Sequence, residues 1–432
     1  MMISLFQLAA VALFLGAVTV HLAKKPLILL YLLLAAQFLV AGRLMPEISA
    51  RVMGIGVGPV DLINLMVLAA AILRMPRGPR SWQWLLLGAI ALVIYGTLTG
   101  FLRLGDAAML GFRGELYFLV PALFVSTLRP THLPKVVRAI IWFGSGLAVL
   151  AVLRWMGLVP TGIDDTGHYL VERVIVSSAA LWVALAAMAA VMTLFQVRRE
   201  RFTNYPWIIA AFCLAVVLLT QHRSVWVATA VMLTVVFLIT EHRMLLKVGV
   251  AIFAGIVVIL VEGLGLGHGG TVAESLAFAT SNIGTWEWRV ERWSNVWETH
   301  SARGLGAILF GSGYGYGWVT GIIGEWEASP HNGYLEVAVR IGLVGALLVF
   351  LPYYMTLRRL LTVGDATSRL LWLWTIGILV YFIPYSGDML SGVVLGAAIA
   401  SLMTVAETSA ERTSTKRPAW VRFPRVRSPF SR

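Results

Sequence analysis

Residues 174–196 read VIVSSAALWVALAAMAAVMTLFQ, 23 residues without a charge, and Arg198-Arg199 follow at once. An α-helix of that length rises about 35 Å, enough to cross a bilayer core. The chain repeats the pattern. Apolar runs fall at about 3–22, 27–42, 57–73, 82–100, 112–128, 136–157, 174–196, 205–220, 224–240, 245–261, 334–356, 369–385 and 388–405. The 57–73 run is the weakest, because it carries Asp61 and Asn64. Composition agrees: of 432 residues 59% are hydrophobic and 13% charged, with a mean hydropathy of +0.83. Soluble domains are about 25% charged, so a water-soluble enzyme and a disordered chain are both excluded. The expected fold is all-α: a polytopic membrane protein of 12–13 transmembrane helices with one large periplasmic loop containing short helices. It is organised as a single membrane domain over 1–405 and a basic, disordered tail over 406–432. The first run lacks a basic flank before it and reads as a retained helix, not a cleaved signal.

Charge sets the orientation. One set of connectors, with the tail, holds 23 Lys and Arg against five acids; the other holds 11 cations against 16 acids. The basic set is expected to face the cytoplasm. The net charge of +13 is thereby explained by topology, without nucleic acid. All five lysines lie in the basic set, and every cation opposite is an arginine. Arginine presents a planar fork suited to phosphate. The single cysteine, Cys213, excludes a disulfide framework and a cysteine-based metal site. The tail is expected to meet anionic membrane lipid. No internal repeat is visible, which argues against an inverted-repeat transporter.

The only long connector is 262–333, on the outer side, with six tryptophans. Its middle, TWEWRVERWSNVWETH, has helical periodicity: Trp286, Val290, Trp293 and Trp297 share one face, with Arg289 and Arg292 on a flank. Such a helix would lie in the membrane interface with its indoles at headgroup depth. GSGYGYGW (311–318) lacks the Lys-Ser/Thr of a nucleotide loop and reads as a turn region offering Tyr314, Tyr316 and Trp318 for sugar stacking. Pro330 and Asn332 mark a helix start, placing His331 at the mouth of the 334–356 span as a base near neutral pH. The short turn QHRSVWV (221–227) sets Arg223 at the membrane surface, where an arginine needs a partner or a ligand. Arg340, a helix residue after His331-Asn332, carries no assigned role.

His331-Asn332-x-x-Leu335 followed by Gly342-x-x-Gly345, at the end of a large outer loop, resembles the O-antigen ligase and polymerase superfamily. The Arg223-Ser224-x-Trp226 turn and the Trp/Arg helix before a glycine-rich stretch also resemble it, over about 205–350. The resemblance implies a metal-independent, inverting glycosyltransferase of the bacterial inner membrane, needing no cofactor. It would take a glycan from undecaprenyl diphosphate on the periplasmic face. By resemblance, Arg223 and Arg289 hold the diphosphate, with Arg292 as the alternative match, and His331 lies beside the acceptor; Asn332 is placed with the substrate-binding residues. The acceptor is lipid A–core for a ligase, a second carrier-linked glycan for a polymerase, or a Ser/Thr for a protein glycosyltransferase. Rival readings are a flippase for lipid-linked sugars, a metal-dependent transferase and a membrane scaffold. The second needs paired acids, and only Asp164-Asp165 offers a pair on the outer side.

Overall fold

A computed structural model describes residues 5–44, 50–52, 55–75, 81–105, 112–160, 174–195, 201–220, 222–239, 284–315, 318–319, 326–327, 330–360 and 365–415. The helices are α1 (Leu5–Ala23), α2 (Pro26–Ala41), α3 (Pro59–Arg74), α4 (Ser81–Leu104), α5 (Phe112–Ser126), α6 (Leu133–Trp155), α7 (Ser177–Leu194), α8 (Pro206–Leu219) and α9 (Arg223–Ile239). After the undescribed residues come α10 (Gly284–Ser301), α11 (Leu305–Phe310), α12 (Gly333–Leu360), α13 (Ala366–Tyr381) and α14 (Met389–Thr415). Each expected apolar run except 245–261 coincides with one of these; 245–261, Asp164, Asp165 and the tail beyond Thr415 lie outside the described residues. The protein is an all-α polytopic membrane protein. Among the described residues, four helical segments are individually long and apolar enough to cross a membrane, including Ser177–Leu194 and Gly333–Arg359; Leu13–Ala23 of α1 and Pro26–Ala41 of α2 reach that length together, as a pair bent by 117°. The helices α8, α9, α13 and the first part of α14 are shorter apolar segments.

Among the described residues two small hairpins add to the helices: Ala50–Val52 (β1) with Ile55–Val57 (β2), and Trp318–Val319 (β3) with Trp326–Glu327 (β4), both antiparallel. Neither is legible as hydrophobic alternation, because each strand is three residues or fewer. The last helix runs past the expected end at 405 to Thr415.

The core forms around α7, in which every residue from Ala179 to Thr193 is buried. Its alanines let α6 and α8 pack closely, in the manner of membrane bundles, where small residues replace the hydrophobic drive. Trp374 of α13 donates its indole N–H to Leu185 O at 2.9 Å. The polar residues of α3 find local partners. Asp61 accepts from Gly58 N–H and from Tyr117 O–H, at 2.7 and 2.6 Å, and pairs with Arg113 at 3.3 Å; Asn64 donates to Val60 O. The helix therefore tolerates the side chains that weaken its hydropathy. These pairings also order the bundle's ends. Asp61, Arg113 and Tyr117 lie at one end. Arg74, which donates to Ala23 O and Thr127 O, lies at the other.

Arg154, one of the eleven arginines outside the basic connectors, is buried and donates to Pro160 O, Val174 O and Gly42 O. It clamps the ends of α2, α6 and the segment before α7, so the arginine bias is partly architectural.

Candidate active site

The motif helix α12 begins where the chain reverses. His331 has φ 48°, a left-handed conformation that an L-residue adopts at a cost of about 1 kcal/mol or more. Asn332 caps the helix, its side-chain oxygen accepting from Leu335 N–H at 3.0 Å. Gly333 N–H donates to Phe382 O and Tyr385 O, at 2.8 and 3.0 Å, seating the helix start on the turn after α13. Tyr334 adds a hydrogen bond to Leu379 O and a ring contact with Phe350 at 4.8 Å. The imidazole of His331 is thus thrown out from a rigid turn and reaches solvent. Asn332, placed by sequence among substrate-binding residues, has a capping role that explains its position.

The loop helix α10 approaches this turn. Trp293 donates its indole N–H to Pro330 O at 2.9 Å. Of the face that sequence periodicity assigned to the membrane interface, Val290 and Trp297 are left uncovered by protein, while Arg292, Val296 and His300 on the other side are buried. At 100° per residue Arg289, Arg292, Val296 and His300 form one face. Val296 packs with Val339 and Leu335 of α12, so the helix docks on protein. The arginine flank is turned inward as a result. The guanidinium of Arg292 lies 4.7 Å from the Trp288 ring centroid, and that of Arg289 lies 5.7 Å from the Tyr385 ring.

These three side chains share one electrostatic environment. Partial burial, then Arg292 and Arg289, hold the His331 imidazole below its ordinary pKa, so it is neutral and able to accept a proton at neutral pH. Burial and the Arg289 charge likewise lower Arg292. Two like charges at the mouth of the motif helix favour an anion between or beside them. Arg223 opens α9, which packs along α13. Its neighbour His222 is hydrogen bonded to Ile175 O, and Tyr381 to Ser177, tying the starts of α9 and α7 to the end of α13 that supports Gly333. Arg223 therefore sits at the motif end of the bundle.

The glycine-rich segment has a different job from the one expected. Helix α12 breaks at Gly342, φ 76°, and the freed carbonyls of Val339 and Arg340 accept from Ser312 and Gly313 N–H at 2.9 and 3.2 Å. A Cβ on Gly342 would stand 2.2 Å from Leu309 O, and one on Gly311, φ 83°, 2.1 Å from Arg340 O. Only glycine fits at either crossing. Tyr314, expected to be open to sugars, is buried beneath the Arg340 guanidinium at 5.6 Å, and its N–H donates to Gly96 O. The backbone donors from Gly311 to Tyr314 are thus spent on neighbouring helices, α11, α12 and α4. Tyr316 lies outside the described residues, and Trp318 is seen only as backbone in β3. His300, not singled out by sequence, bonds Ser312 at 2.9 Å and fastens α10 to the loop.

Arg340 is not a bystander. It is 1% exposed and lies among Glu115 of α5, Glu336 of α12 and Tyr314, all buried, with Ser386 donating to Glu336. A cavity of about 30 Å³ opens between Glu115, Glu336, Ser386 and Gly333. Arg340→Met removes the cation and leaves two buried carboxyl groups facing one another. The expected loss is about 3–5 kcal/mol, read as a lowered unfolding midpoint in detergent; a midpoint equal to that of wild type would contradict the assignment. Among the described residues no three His, Cys, Asp or Glu converge as metal ligands.

A search of curated proteins finds no match to the chain. Residues 208–350, about a third of the chain, match the family model described as O-Antigen ligase; the match spans Arg223, α10 and the motif helix through Gly345, and it supports the resemblance to the O-antigen ligase and polymerase superfamily.

Proposed function

We propose that the chain is an inner-membrane glycosyltransferase that moves a glycan from undecaprenyl diphosphate to an acceptor hydroxyl on the periplasmic face, with lipid A–core as the acceptor. The observation that carries this reading is the convergence of a neutral His331 with Arg289 and Arg292 within a region that matches the O-Antigen ligase model. The acceptor oxygen attacks the anomeric carbon from the face opposite the diphosphate, and its proton passes to the His331 imidazole. The bond from the anomeric carbon to the diphosphate oxygen breaks, and the lipid diphosphate leaves with the electron pair. Arg289, Arg292 and Arg223 stabilise the charge that develops on it. The configuration inverts. No step requires a metal ion, because the leaving group is already an anion of a strong acid and the guanidinium groups meet it.

The test is transfer in vitro by the purified full chain from a carrier-linked glycan, with lipid A–core and a second carrier-linked glycan offered in parallel. Product on lipid A–core, undiminished by EDTA, is the expected outcome. Product only on the carrier-linked acceptor would make the protein a polymerase. Loss in EDTA that magnesium or manganese restores would refute the metal-independent mechanism.

A further inference from the structure

The opposite, basic end of the bundle holds a second built feature, independent of the transfer reaction. The α1–α2 turn, the end of α3 and the segment after α5 enclose an open cavity of about 440 Å³, lined by Lys24, Lys25, Pro26, Leu27, Ile28, Arg74, Arg129 and His132. Four of the eight are permanent cations, and none is an acid. Arg74 is fixed in place: its guanidinium donates to Thr127 Oγ1, Ala23 O and Thr127 O at 3.3, 2.9 and 3.2 Å. Three of its five N–H groups are used in that way, so a helix-end arginine is held as part of the wall without a carboxylate in the lining. Lys24, Lys25 and Arg129 are exposed around it. A convergence of like charges in a concavity costs energy that a bound anion would offset.

The setting indicates which anion. The cavity lies at the end of membrane helices, and its lip is apolar, with Leu27 and Ile28. From Ile28 an exposed apolar stripe continues along α2 through Tyr31 and Leu32. That geometry suits a ligand with a phosphate at one end and hydrocarbon at the other. We propose that this cavity binds the phosphate headgroup of an anionic phospholipid, with Arg74 as the fixed contact, Lys24, Lys25 and Arg129 as the adaptable ones, and the acyl chains along the Ile28–Leu32 face of α2. General attraction of basic loops to an anionic leaflet would need neither the concavity nor the locked arginine.

The test is native mass spectrometry of the full chain released from bilayers of equal phosphatidylglycerol and phosphatidylethanolamine. Wild type is expected to retain phosphatidylglycerol selectively. Lys25→Gln and Arg129→Gln, both at exposed side chains, should each lower retention about fivefold. Arg358→Gln, an exposed cation of the same end but outside the cavity, should leave it unchanged. Arg74→Gln removes a bridge between helices as well as a contact, so the two exposed variants decide the matter. Equal loss with Arg358→Gln, or no preference between the lipids, would overturn the proposal. Displacement by about 10 mM inorganic phosphate would overturn the lipid assignment and mark a soluble-anion site.

Discussion

Replacing His331 by alanine is expected to lower glycan transfer by about 10²–10⁴-fold, the range typical of losing a general base, while binding of the carrier-linked donor is nearly unchanged. The reasoning starts from the backbone. His331 occupies a left-handed turn held from three sides, by the Trp293–Pro330 hydrogen bond, the Asn332 cap and the Gly333 contacts to Phe382 and Tyr385. None of these uses the imidazole, so the substitution removes the base and leaves its support. The wild-type pH profile should carry the same signature. A base must be neutral to accept a proton, and burial with Arg292 and Arg289 lowers the pKa of this one. Transfer should therefore stay full as pH falls through the ordinary histidine value near 6.5 and decline only below it. The acid limb should vanish in His331→Ala. Near-normal transfer in a correctly inserted His331→Ala protein would remove His331 from the chemistry.

The second large effect is expected from the arginines. Arg289→Lys and Arg223→Lys each keep one positive charge and lose the planar fork that grips two phosphate oxygens. Loss of one such electrostatic clamp costs about 10²–10³-fold in rate. Arg292 differs, because it is buried against Trp288 and carries the α10 face that docks beside Val339. Arg292→Lys should therefore lower the unfolding midpoint as well as the rate, whereas Arg289→Lys should lower the rate alone. Equal stability losses in the two variants would show that Arg289 too is chiefly architectural.

The helical membrane bundle was legible because long uncharged runs carry their own length signal, and the basic connectors separate them. Even the weak 57–73 run is a helix, because Asp61 and Asn64 find partners that no hydropathy window can see. Candidates for chemistry were legible where a residue type was out of place: an arginine at a membrane surface, a histidine before a span. What escaped was which surfaces dock on protein. Periodicity identified the face of α10 bearing Val290 and Trp297 as apolar, but the docking surface is the one bearing Arg292, Val296 and His300, since its partner on α12 is forty residues away in sequence. Tyr314 looked available because it lies among glycines. Those glycines instead let the loop cross the helix break at Gly342, and Tyr314 is carried inward under Arg340. Arg340 itself was passed over as a lone cation. Its companions Glu115 and Tyr314 belong to different segments and meet it only on folding.

The central claim is that one site at the motif end of the bundle holds the carrier diphosphate between the arginines and His331. An electron cryomicroscopy structure of the full chain with undecaprenyl diphosphate bound tests it most directly. Phosphate density is expected within hydrogen-bonding distance of the Arg289 and Arg223 guanidinium groups, with the His331 imidazole facing the terminal phosphate across a gap wide enough for one sugar. Diphosphate density elsewhere in the protein, or at the arginines with His331 more than ~15 Å away, well beyond hydrogen-bond reach of a held sugar diphosphate, would contradict it.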